Sequence, residues 1–309
     1  MKNNYNNKIA ITTGDINGIG TEITIKALNE LDVDTGKIVL ITNKKHLEKY
    51  QELNNNYEII DIEYDSDIKF GEITKDSGEF SFNCLKKACE IKPKAIVTAP
   101  VSKEALHLAG HLFNGQTEVI EHYLKQENQK AEMLFVSTGF DVLLLTRHCA
   151  LKDIHLTKKI IVEKVTRLFE YYKKHRGLEA PKFALCALNP HAGENGILGT
   201  EEQDFIIPAV NELRDFGIDI TNPLPADTLF IEAGKNYYNN KKAPYDCYIA
   251  MYHDQGLIPI KTIAGDKTVN MTIGLDIIRT SPSHGTAFDI AGKNIANPSS
   301  MIEAIKCVL

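Results

Sequence analysis

The chain has 309 residues, 43% of them hydrophobic and 25% charged, an ordinary globular composition, and at about 150 residues per unit it has the length of two compact units. Thirty-five basic against 41 acidic residues give a formal charge of −6, which argues against a chain that coats nucleic acid or an anionic membrane. No apolar run approaches the roughly 20 residues of a membrane helix. Nothing after the first seven residues reads as a signal peptide, and six scattered cysteines without a CxxC pair point to reduced thiols and a cytoplasmic protein.

In chain order, short β-branched runs alternate with helical patterns, the signature of an α/β fold. Strands are expected over 8–12, 37–42, 57–62, 95–99, 133–137, 142–146, 182–188 and 247–251. Several are apolar throughout, as in strands covered on both faces. The short gap at 138–141 predicts a hairpin, so the mostly parallel sheet should be mixed, with helices on both faces. A helix over 157–172 carries Ile161, Val165, Leu168 and Tyr172 on one face. In a second helix Thr200 reads as an N-cap in a capping box with Gln203, Pro208 as a kink and Gly217 as the stop. A last helix is expected over 299–307. The stretches 54–56 and 235–242 read as surface loops. No linker divides the chain, so two interwoven subdomains with a cleft between them are expected, roughly 1–130 plus 250–309, and 131–249.

Four kinds of segment carry chemistry. The glycine-rich turn at 14–22 follows a strand and opens a helix, where backbone can approach an anion. A strand-to-helix turn needs glycine in any case, so both readings stand. His148, His191 and His253 each follow the carboxyl end of an expected strand, where α/β sheets bind ligands. One such histidine is usually a loop residue; three together point to a divalent metal with open positions for substrate. Lys103 follows a fourth strand end, and Asp227 sits in a turn stiffened by Pro223 and Pro225. Both are acid–base candidates, weighed against a solvated lysine and an ordinary turn aspartate. The stretch 283–293 reads as a ligand-facing loop.

Together, the segments at 14–22, 98–103, 114–118, 146–153, 189–202, 223–230, 251–256, 269–281 and 284–292 resemble those of the 4-hydroxythreonine-4-phosphate dehydrogenase family of vitamin B6 biosynthesis. Asn189–Glu194 (NPHAGE), Pro223–Thr228 (PLPADT), Tyr252–Gly256 (YHDQG) and His284–Gly292 (HGTAFDIAG) are specific in combination. The loop from His284 also resembles the cofactor loop of isocitrate and isopropylmalate dehydrogenases. The resemblance implies an isocitrate/isopropylmalate dehydrogenase-like fold and a homodimer with the active site at its interface. It implies NAD, with NADP as the alternative, and one divalent ion (zinc, magnesium, manganese or cobalt) on His148, His191 and His253. It assigns substrate binding to Gln116, Thr117, Lys261, Asn270 and Arg279. Cofactor binding falls on His284, Gly285, Thr286, Ala287, Asp289 and Asn297.

The implied reaction is oxidation of 4-phosphohydroxy-L-threonine at C3, followed by loss of CO2. Gln116 stands where the family usually has histidine, which keeps a related four-carbon substrate, such as threonate or erythronate 4-phosphate, open. A phosphate acyltransferase on a related fold, and a catalytically silent homologue that only binds a metabolite, are further alternatives.

Overall fold

The computed structural model describes residues 5–48, 50 and 56–309, so the first four residues and most of the 54–56 stretch lie outside it. It forms two compact units. Unit 1 combines the described residues up to Ala131 with Val269–Leu309, and unit 2 is Glu132–Thr268. The chain begins with β1 (Ile9–Thr12), α1 (Gly20–Glu30), β2 (Ile38–Thr42), α2 (Lys44–Leu47) and β3 (Glu58–Asp61). Unit 1 continues with α3 (Lys75–Glu90), β4 (Ala95–Thr98), α4 (Lys103–Leu108) and α5 (Gln116–Leu124). Unit 2 opens with β5 (Glu132–Val136), β6 (Asp141–Leu144), α6 (Lys158–Arg176), β7 (Lys182–Leu185) and α7 (Ile207–Asp215). It closes with β8 (Asp219–Ile220), α8 (Ala226–Tyr238), β9 (Cys247–Ala250) and α9 (His253–Ala264). The chain then returns to unit 1 as β10 (Val269–Ile273), β11 (Ile278–Pro282) and α10 (Ser299–Lys306).

Unit 1 has strand order β3-β2-β1-β4-β11-β10, and only its β10–β11 pair is antiparallel. Unit 2 has order β5-β6-β9-β7-β8, and only the expected β5–β6 hairpin is antiparallel. The sheet is thus mixed and mostly parallel, as the sequence predicts. Strands β1, β2 and β4 are buried at every residue, and α3 packs Phe80, Cys84 and Leu85 into their core. In unit 2, Phe140, Val142 and Leu144 meet Phe230 of α8 and Ile260 of α9 around Tyr248. Each such side chain contributes about 1.5–3 kcal/mol on burial. All six cysteines are free, and no helix among the described residues is long and apolar enough to cross a membrane.

Three differences from the sequence have physical causes. The return to unit 1 falls at Val269, not near 250, because β9 pairs with both β6 and β7 of unit 2. The capping box at Thr200 does not form: its hydroxyl bonds Asp204 Oδ2 at 2.7 Å, and a π-helical turn, Glu202–Ile206, leads into α7. Pro208 has no N–H for the helical ladder, and the wider turn opens the ladder there. Strands β10 and β11 do not stand out in the sequence, because Asn270, Thr272, Arg279 and Ser281 break their apolar runs.

Candidate active site

In unit 1, β1 and β4 run parallel and end side by side, Thr12 opposite Thr98. Arg279 on neighbouring β11 donates from Nε and a terminal nitrogen to Thr98 Oγ1, at 2.9 and 2.7 Å. The guanidinium is buried and has no ion-pair partner among the described residues. Burial pulls its pKa down to about 10, against the charge of Glu118. A buried cation without its own carboxylate suits an anionic ligand, for which arginine offers a planar fork. Asn270 on β10 shares a sheet face with Arg279, because Thr272 is the residue directly opposite Arg279. Its Oδ1 is buried without a hydrogen bond.

Gln116 opens α5. Its amide nitrogen donates to Ala99 O at 3.1 Å, which leaves Oε1 buried and unbonded. Thr117 beside it is buried. Lys103 opens α4 behind Ser102, whose hydroxyl caps the helix at Ala105 N. A Cβ on Gly115 would stand 3.6 Å from Lys103 Cε, so the lysine lies against the start of α5. Unit 1 therefore gathers Lys103, Gln116, Thr117, Asn270 and Arg279 at the strand ends. Lys261, in unit 2, is exposed on α9.

The glycine turn has a packing explanation at two positions. A Cβ would come 2.2 Å from Pro100 O at Gly14, which has φ +70°, and 2.1 Å from Thr13 O at Gly20. Asp15 between them is buried. Burial pushes its carboxyl up to about 6, opposed by hydrogen bonds from Asn17 N, the Ser77 hydroxyl and the Ser102 backbone. The loop from His284 docks on this turn, where Ile19 N donates to Thr286 O at 3.1 Å. Its far side is held by Glu22, which accepts from Ala296 N at 2.7 Å, and by Lys26, which donates to Asn294 O at 3.0 Å. His284, Gly285 and Asp289 are exposed, Thr286 and Ala287 half-buried. Asn297 Oδ1 accepts from the N–H and hydroxyl of Ser299, at the start of α10. The backbone of this loop is pinned while its polar tips stay open, which fits a nucleotide.

In unit 2, β6 and β9 are parallel neighbours, Leu144 opposite Ala250. His148 and His253 follow their carboxyl ends, with ring centroids 5.5 Å apart in a cavity of 380 Å³. His253 Nδ1 bonds Asp254 Oδ1 at 2.7 Å, which leaves Nε2 for a ligand. His191 does not join them, and among the described residues no three His, Cys, Asp or Glu side chains converge on a metal position. The donor set within one chain is therefore two imidazoles, which suit a first-row divalent ion but fall short of a closed site.

His191 begins a run of five residues with left-handed backbone: His191, Ala192, Gly193, Glu194 and Asn195 have φ between 44° and 76°. Only one is glycine, and each of the others costs about 1–2 kcal/mol. Glu202 holds the turn. Its buried carboxylate accepts from Leu188 N at 2.9 Å, Asn189 N at 2.8 Å and the Asn189 amide at 2.9 Å. Asp227 is exposed in the first turn of α8, where a carboxylate also favours the helix dipole.

Residues 11–308 match the model of the family described as pyridoxal phosphate biosynthetic protein PdxA. The chain belongs to the PdxA family. It is 41% identical to a 4-hydroxythreonine-4-phosphate dehydrogenase of Sulfurihydrogenibium sp., over 98% of this chain and 97% of that one. It is 38% identical to a putative D-threonate 4-phosphate dehydrogenase of Oceanobacillus iheyensis, over 96% and 95%. A crystal structure of the Klebsiella pneumoniae 4-hydroxythreonine-4-phosphate dehydrogenase matches with TM-score 0.83 at 33% identity, covering 98% of both chains. An isocitrate dehydrogenase from Methylococcus capsulatus, 14% identical, shares the fold with TM-score 0.51 over 98% of this chain and 84% of that one.

Several residues that shape the site of this PdxA-family chain carry no motif signal of their own. Glu202 closes the 189–202 segment, and nothing in its residue type marks it as a buried acceptor. Glu22 and Lys26, four apart, read as a routine helix pair. Gln255 joins two strand ends, accepting from Met251 N and donating to Ala187 O, both at 2.7 Å. Only its place in the YHDQG segment marked it.

Proposed function

We propose that this chain is a cytoplasmic NAD-dependent, divalent-metal-dependent dehydrogenase. It oxidises the C3 hydroxyl of 4-phosphohydroxy-L-threonine to 2-amino-3-oxo-4-phosphooxybutanoate. That acid decarboxylates to 3-amino-2-oxopropyl phosphate on the way to pyridoxal 5′-phosphate. The observation that carries the reading is the buried, unpaired Arg279 beside the unbonded acceptors of Gln116 and Asn270. Family membership and the names of the relatives point the same way.

Arg279 binds an anionic end of the substrate with the N–H groups that Thr98 does not use, and Lys261 adds a second cation. Gln116 Oε1 and Asn270 Oδ1 each accept from an ammonium or hydroxyl group, because an acceptor buried without a donor costs about 1–3 kcal/mol. Oxidation at C3 removes a hydride and a proton, and Lys103 and Asp227 are the groups assigned to exchange that proton. His148 and His253, completed by His191 with at least one of the three from a partner subunit, would hold a divalent ion that would supply Lewis acidity, and the loop from His284 would hold NAD, which would supply the hydride acceptor. Left-handed backbone at His191 costs energy that a ligand role accounts for.

One observation favours a second substrate. Gln116 carries no charge where the family usually has a histidine, and several relatives are named for D-threonate 4-phosphate. Nicotinamide reduction measured with 4-phosphohydroxy-L-threonine, threonate 4-phosphate and erythronate 4-phosphate ranks the readings. A higher kcat/KM for the phosphorylated amino acid supports the first; turnover of the sugar acids alone replaces it with the second. In the first case Gln116→His lowers KM for the amino acid.

A further inference from the structure

Unit 2 has another cavity, of 680 Å³, at the opposite end of its strands from the histidines. Its floor contains Asp141 and Asp246, at the amino ends of β6 and β9, whereas His148 and His253 follow the carboxyl ends. Four-residue strands rise about 13 Å, so the two places are separate.

The floor carboxylates are already neutralised. Asp141 Oδ2 accepts from the Tyr172 hydroxyl at 2.6 Å and stands 3.5 Å from Arg176. Asp246 pairs with Lys242 at 2.7 Å and accepts from Lys182 N at 2.8 Å. Two more cations line the cavity, Lys241 and Lys267. Both are exposed, and neither has an ion-pair partner among the described residues. The wall is apolar at Leu178 and aromatic at Tyr237. The Tyr237 ring lies so close over Gly139 that a Cβ there would come within 2.8 Å of Cδ2.

Two uncommitted lysines offer a charge of +2, the complement of a phosphate monoester dianion, and lysine binds phosphate as a movable point charge. The volume suits a small organic molecule. We propose that this cavity binds a small organic phosphate monoester with a planar apolar body, its phosphate between Lys241 and Lys267 and its ring against Tyr237 and Leu178. The site is separate from the residues assigned to dehydrogenation, and the inference stands whichever substrate the enzyme oxidises.

The chain has no tryptophan, so Tyr237→Trp places a single reporter in the cavity. Phenyl phosphate should change its emission saturably. Lys241→Ala with Lys267→Ala in the same background should weaken that binding about tenfold or more, while kcat and KM stay unchanged. Phenol, the same ring without charge, should not saturate. Absence of a saturable change, equal affinity in the double-lysine variant, or phenol binding as tightly would each overturn the proposal. Equilibrium dialysis of phenyl phosphate, with saturating substrate present, repeats the comparison without the reporter. The otherwise unmodified protein should then bind one more equivalent per chain than the double-lysine variant, and equal binding would again overturn it.

Discussion

One carboxylate oxygen of Glu202 accepts the backbone N–H of Asn189 at 2.8 Å, and the other accepts its side-chain amide at 2.9 Å. The bonds fix the residue two before His191. Glu202→Ala leaves two half-buried backbone donors without a charged acceptor and should cost about 2 kcal/mol of stability, read from the urea midpoint. Glu202→Gln keeps one acceptor oxygen and should cost less. Equal losses would show that packing, not hydrogen bonding, holds the turn.

Asp15 makes stability depend on pH. Its folded pKa, about 6, lies above the ordinary 3.8, because burial favours the neutral acid. The folded state binds that proton more tightly than the unfolded chain does. The stabilisation is complete below 3.8 and is lost as pH rises through 6. Asp15→Asn cannot ionise, so it should gain about 3 kcal/mol relative to the parent protein across that window. Urea titrations of both proteins at several pH values measure the difference. A constant difference would mean that the Asp15 carboxyl titrates alike in both states.

Chelation should abolish turnover, and adding back a divalent ion should restore it. His253→Ala should lose Zn2+ binding by calorimetry. Asp254→Asn, which removes the partner of His253 Nδ1, should weaken it about tenfold. A metal-free His191→Ala protein with full activity would refute the metal assignment.

The exposed carboxylate of Asp289 bears on cofactor choice. Facing an adenosine ribose, it accepts from the 2′- and 3′-hydroxyls of NAD and repels the 2′-phosphate of NADP. NAD should therefore be preferred in kcat/KM by about 1–3 kcal/mol. Asp289→Ser should shrink the preference; an unchanged ratio would show that the ribose is read elsewhere.

The parallel strands were legible because β1, β2, β4 and β9 are buried at every residue and read as unbroken apolar runs. The hairpin β10–β11 was not, since Asn270, Thr272, Arg279 and Ser281 put polar side chains along one of its faces and break the apolar pattern. The sequence places His148, His191 and His253 past strand ends as a trio, and the structure sets only His148 and His253 side by side within the chain. The left-handed turn at His191 was illegible, because Gly193 and Asn195 favour positive φ only singly and Ala192 and Glu194 do not favour it at all. The bonds from Glu202 fix only its approach, at Leu188 and Asn189, from more than ten positions away in the chain.

The late return of the chain to unit 1 has a consequence for biosynthesis. Strands β11 and β10 follow β4 in the sheet order of unit 1, yet they are made only after all of unit 2. During translation, β4 therefore waits with an open hydrogen-bonding edge through the synthesis of Glu132–Thr268. Unit 2, encoded without interruption, can close first. The half of the protein that the ribosome starts is the half that it finishes last, and a transcript cut short before Val269 would leave the first unit with an exposed, sticky edge.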